Sequence, residues 1–198
     1  MIRLLLLICA GVVMSKTGAH ARDWQAQKPP FTVLAQGSTF GTSADWPLRF
    51  KRHQFGVACF STATCSVRYH GHNHGAELRT PTKPDAVEHA RRMTGSFGDI
   101  RNFSRGPVLN WQPLSGGQLN AEIDLAAIFA GELIRHNTRR DEIPDGISMG
   151  LTHIIVEIDD RTVSVYTRTM IPLKEPSIPG NRFSYFRDDL IKVYSKTY

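Results

Sequence analysis

The chain has 198 residues and a net charge of +6, from 24 Lys+Arg against 18 Asp+Glu. With 41% hydrophobic and 21% charged residues it is too apolar for a disordered chain, and its 11 Pro and 16 Gly are too scattered for a collagen-like or low-complexity tract. Three cysteines exclude a disulfide-dense scaffold, and no apolar run reaches the roughly 18 residues of a transmembrane helix.

The first residues read as an export signal. Arg3 supplies a positive start, Leu4 to Met14 is apolar, and Ala19-His20-Ala21 offers small residues where a signal peptidase needs them. Residues 1–21 are therefore expected to be a signal peptide cut after Ala21, sending the chain to the periplasm of a Gram-negative host. Cys9 sits in mid-run after Ile8, so no lipid-bearing cysteine is expected. Cleavage leaves Cys59 and Cys65 as an even pair in an oxidising compartment, where a disulfide is expected.

Residues 22–48 carry Lys28-Pro29-Pro30, Gly37-Ser38 and Trp46-Pro47, the composition of an irregular arm with one short strand at 31–34. Residues 49–198 read as a single α+β domain. Phe55, Val57 and Cys59 alternate, as do Cys65, Val67 and Tyr69, and the residues between suit a hairpin loop. A short helix is expected over 84–93, ended by Gly95. A second hairpin spans 108–112 and 119–124 around Ser115-Gly116-Gly117. Asp124 then reads as an N-cap, with Ile123 and Ile128 as a hydrophobic staple, opening a helix to about Arg135. A third hairpin spans 152–159 and 162–170, and 190–198 is β-rich. Successive hairpins predict an antiparallel sheet with one or two helices packed on one face, and no β-α-β rhythm supports a parallel doubly wound sheet.

Four patterns invite a chemical reading. His70, His72 and His74 alternate, so on a strand they would share a side and could hold Zn²⁺ or Cu²⁺. Gly71 and Gly75 favour a bent loop instead, Arg68 opposes a cation, and no nearby carboxylate orients the rings. Gly146-Ile147-Ser148-Met149-Gly150 matches a nucleophile elbow by letter, but a polar turn precedes it and a strand follows, so a chance match and no enzyme are expected. The basic clusters Arg135, His136, Arg139, Arg140 and His89, Arg91, Arg92 lack interleaved aromatics, which argues against nucleic acid and for a dressed helix end or an acidic protein partner. Asp159-Asp160 and Asp188-Asp189 read as turn residues, because neighbours on a strand point to opposite faces. The sequon Asn102-Phe103-Ser104 matters only in a host that glycosylates exported proteins.

The stretch from Arg52-His53-Gln54-Phe55 through Cys59 and Cys65 to Tyr69 resembles a group of small exported bacterial immunity proteins. Pro179-Gly180-Asn181-Arg182-Phe183, followed by Phe186-Arg187-Asp188-Asp189, resembles them too. Such proteins are encoded beside secreted antibacterial effectors, often lipases or phospholipases. The resemblance implies stoichiometric inhibition of a cognate effector by protein contact, with no cofactor. Partner-binding side chains chosen by type are then Arg135, Arg139 and Arg140, with Tyr166, Tyr185 and Tyr194 as exposed aromatics. The alternative is a periplasmic metal-binding protein using His70, His72 and His74.

Overall fold

A computed structural model describes residues 40–76, 78–101, 103 and 105–198. The signal segment, the strand expected at 31–34, and Asn102 and Ser104 lie outside the described residues.

Strands β1 (His53–Phe60) and β2 (Thr62–Tyr69) open the fold. They do not pair as the expected hairpin. Ser61, at φ 53°, turns the chain between two different sheets. Alternation alone fits both arrangements, because each strand turns one face to a common core. The Cys59–Cys65 disulfide is present and ties the two sheets together at this corner.

One sheet has four strands in the order β3-β2-β5-β6, where β3 is His72–Ala76, β5 is Val108–Pro113 and β6 is Leu119–Glu122. It is antiparallel throughout. Cys65, Val67 and Tyr69 on β2, and Leu109 and Trp111 on β5, are buried, while Thr64, Arg68, Asn110 and Gln112 are exposed. This is the alternation of a sheet wet on one face. The β5–β6 hairpin has the expected register, with Leu109 opposite Ala121 and Trp111 opposite Leu119.

The other sheet has five strands. With β4 (Phe97–Ile100), β7 (Thr152–Asp159), β8 (Thr162–Thr169) and β11 (Ile191–Thr197), its order is β11-β8-β7-β1-β4. The β7–β8 hairpin forms as expected, and β11 adds to the edge beside β8. The sheet is mixed: β1 runs parallel to β7, with His53 opposite Thr152 and Phe60 opposite Asp159. Successive hairpins predict no such pair. Its trace in the sequence is the near-continuous apolar run of β7, which marks a strand buried on both faces.

Ile154, Val156 and Ile158 of β7 and Val163 and Val165 of β8 face the four-stranded sheet and share one core with it. The opposite face is covered by helix α1 (Ala86–Arg92), whose Asp85 cap accepts from Val87 N and Glu88 N. Met93, at the end of α1, packs there with Ile155 and Tyr166. Helix α2 (Leu125–Ile128) is capped by Asp124, as expected, and its Leu125 joins Phe129 in the main core. It stops well short of Arg135. Gly131 and Glu132 adopt positive φ, and the chain then pairs with the arm: Phe50 N donates to Glu132 O, and Ile134 N to Leu48 O. Tertiary pairing with 48–50 overrides the apolar periodicity of 125–133. A two-stranded ribbon of β9 (Ile171–Pro172) and β10 (Phe186–Arg187) completes the fold.

Candidate partner-binding surface

Among the described residues, a cleft of about 790 Å³ opens between three chain segments. Its first wall is a single 3₁₀ turn, Arg140–Glu142, in which Arg139 N donates to the Glu142 carboxylate at 2.8 Å. The Arg139 guanidinium donates to both oxygens of Asp141, at 3.1 and 2.9 Å, and this contact holds the Asp141 carboxyl below its ordinary range. The second wall is 173–177, fixed by Lys174 N donating to Glu142 O at 2.9 Å and Leu173 N to Tyr185 O at 2.9 Å. The third is 186–189. There Arg187 pairs with Asp189 at 2.9 Å, and Asp188 with Arg168 at 3.1 Å. Five carboxylates line the cleft (Asp141, Glu142, Glu175, Asp188, Asp189) against three cations (Arg139, Lys174, Arg187).

Exposed apolar side chains adjoin two of these walls. Trp46 is 48% exposed, with the Arg140 guanidinium 5.7 Å above its ring and His136 edge-on at 5.7 Å. Arg140 also pairs with Asp145. Beyond Ser177, which lines the cleft, the chain makes a loop built around the buried Ser184. Ser177 N donates to Ser184 O at 2.8 Å, Ile178 N to the Ser184 hydroxyl at 3.0 Å, and that hydroxyl donates to Asn181 O at 2.8 Å. Phe183 N donates to the Asn181 side chain at 2.9 Å. The loop holds Phe183 72% exposed and Ile178 56% exposed.

The structure sorts the sequence candidates. Arg139 lines the cleft, Arg140 stands next to it over Trp46, and the half-buried Tyr185 holds the second wall through its carbonyl. Arg135 is exposed, but on an extended segment and not in a helical last turn. Tyr166 is a correction. It is buried at 6% exposure, and its hydroxyl donates to Glu157 at 3.3 Å, because β8 is covered on both faces. Tyr194 is half-buried against the main core. Sequence reasoning missed Trp46, Ile178 and Phe183 as surface groups, since apolar type alone predicts burial.

The three histidines are not brought together. His70 occupies the β2–β3 turn at φ 48° with its ring against Tyr69, whereas His72 and His74 pack against Phe97 at 4.4 and 4.9 Å. Among the described residues no group of three His, Cys, Asp or Glu side chains is placed to hold a metal ion. Ser148 bridges antiparallel to Thr42 in an extended segment before β7, without the strand-turn-helix of an elbow.

Glu157 and His53 are ionisable groups buried outside the residues that line the cleft. Glu157 of β7, 2% exposed, accepts from Lys83 at 2.7 Å and from the Tyr166 hydroxyl, and its second oxygen meets His89 of α1. His53 of β1, 1% exposed, stacks on Phe103 at 4.8 Å and shares a 3.1 Å hydrogen bond with the Tyr69 hydroxyl. Burial, aided by the charge of His70, pushes the His53 pKa down to about 4.

Compared with family models, curated proteins and solved structures, the chain finds no match.

Proposed function

We propose that this chain is an exported immunity protein that binds one cognate antibacterial effector, a lipase or phospholipase, and inhibits it by one-to-one contact in the periplasm. The observation that supports a binding role is a pair of exposed aromatic side chains each set against an arginine, Trp46 under Arg140 and Phe183 under Arg182, on chain segments that adjoin the walls of a charged cleft. Aromatic and arginine anchors on pre-ordered backbone, set among polar side chains, are what tight protein interfaces require. The 179–183 and 186–189 segments that resemble immunity proteins build the loop and the third wall of this surface. The class of effector rests on that resemblance.

Co-production is the test. The tagged chain starting at Arg22 is exported to the periplasm of a test bacterium together with the product of the adjacent reading frame. The expected result is a one-to-one complex and survival of cells that the product alone kills. Isolation of both proteins uncomplexed, with no protection, would remove the proposal.

A further inference from the structure

Resting on that binding role, we propose that the Ser177–Ser184 loop is the principal anchor, and that Phe183 and Ile178 enter an apolar pocket of the protein partner whose rim carries a carboxylate facing Arg182. The loop is ordered before it meets anything. Ser184, 6% exposed, bonds Ile178 and Asn181 from inside, and Asn181 N donates to Ile178 O at 3.0 Å. Ordering entropy is thereby spent in folding and not at binding. What distinguishes Phe183 from other exposed apolar side chains is that an internally bonded loop presents its ring, 72% exposed, on fixed backbone beside a cation, and a ring so placed suits a complementary hollow in a partner.

Charge narrows the kind of partner. Between Glu175 and Arg187 the only charged side chain is Arg182, with its guanidinium 4.8 Å from the Phe183 ring centroid. A cation held there enters the rim of whatever pocket receives the ring, and a carboxylate is its complement. An anionic bilayer fits poorly. One arginine gives little attraction, and the neighbouring cleft adds none, since its five carboxylates outnumber its three cations. The cleft instead suits a protein surface of mixed charge closing over it once the loop is seated.

The experiment measures affinity for the adjacent-frame product by biolayer interferometry, using wild type, Phe183→Ala, Ile178→Ala/Phe183→Ala, Arg182→Glu and Val87→Ala. Phe183→Ala should weaken binding at least about 30-fold and the double variant further, in line with truncation of a central anchor. Arg182→Glu should weaken it about tenfold, mostly through slower association. Val87→Ala, on α1 and 81% exposed, should bind as wild type does. Unchanged melting temperatures are expected, since the replaced side chains are exposed. A wild-type complex indifferent to Phe183→Ala overturns the loop assignment and leaves the inhibitor reading standing. No wild-type complex overturns both. Phe183-dependent sedimentation with phosphatidylglycerol/phosphatidylethanolamine vesicles would assign the loop to lipid and overturn the protein-pocket inference.

Discussion

His53 should make the fold acid-sensitive well above the range where carboxylates titrate. The ring lies between the stacked Phe103 and the Tyr69 hydroxyl, with Phe50 edge-on at 6.2 Å and His70 as the nearby cation. In the unfolded chain it takes a proton near pH 6.5, and in the folded protein only near pH 4. Between these values the unfolded state binds more protons, so stability rises with pH across that window. The contribution is fully present above about pH 6.5 and is lost as pH falls toward 4. At roughly 1.4 kcal/mol per pH unit the full loss is about 3 kcal/mol, most of it incurred by pH 4.5. Urea unfolding at several pH values between 7.5 and 4.5 reads this slope. His74 and His153 are also lowered by burial and slope the same way, so the comparison is with His53→Gln, which keeps a partner for Tyr69 and cannot titrate. The variant should lose about 2 kcal/mol less than wild type over this range. Parallel slopes in the two proteins would mean that folded His53 protonates normally, and the account of its burial would be wrong.

Substitutions at three further places probe other parts of the fold. Replacing both Cys59 and Cys65 by Ser should lower stability by about 2 kcal/mol in non-reducing buffer, as expected for opening a short covalent loop; equal urea midpoints for the two proteins would deny the bond a stabilising role. Glu157→Ala strips Lys83, His89 and Tyr166 of their shared partner, so a loss of about 3 kcal/mol is expected in denaturant titration, with a smaller loss for Glu157→Gln. Gly56→Ala places a methyl carbon 2.3 Å from Thr94 O and 3.0 Å from Gly95 Cα, backbone on both counts. A cost of about 2 kcal/mol should appear as a lower melting temperature, and a wild-type value would show that the 94–95 segment yields freely.

Local signals in the sequence carried through to the structure wherever the deciding contacts are local. Asp85 and Asp124 cap their helices, Asp160 turns the β7–β8 hairpin, and Ser115-Gly116-Gly117 lies between the paired β5 and β6. The fold class followed from these pieces. What escaped was set by distant partners. The β1–β7 pair joins segments far apart in the chain, and α2 is cut short by a bridge between Arg49 and Leu133. Tyr166 was expected at the surface by residue type alone, yet α1 and Met93 cover its face of the sheet. The surface around the cleft was half legible: Arg139 and Arg140 stand out by type, but exposure of Trp46, Ile178 and Phe183 depends on where neighbouring segments end. Ser184 carries no sequence signal for its role, since a buried hydroxyl that organises a loop looks like any other serine.

The parallel partnership of β1 with β7 also bears on how the chain is made. His53 finds Thr152 only after every segment between them has been synthesised, and β8 and β11 arrive later still. Until then β1 has on this side no strand beside it, and Phe55 lacks Ile154 and Val156 from its core. A nascent chain of this order stays open through most of its synthesis, because the contact that closes its larger sheet is among the least local it makes. An unfolded polypeptide is what a membrane-embedded secretion channel threads, so under the export proposed above the same late closure that slows folding would keep the chain fit for passage.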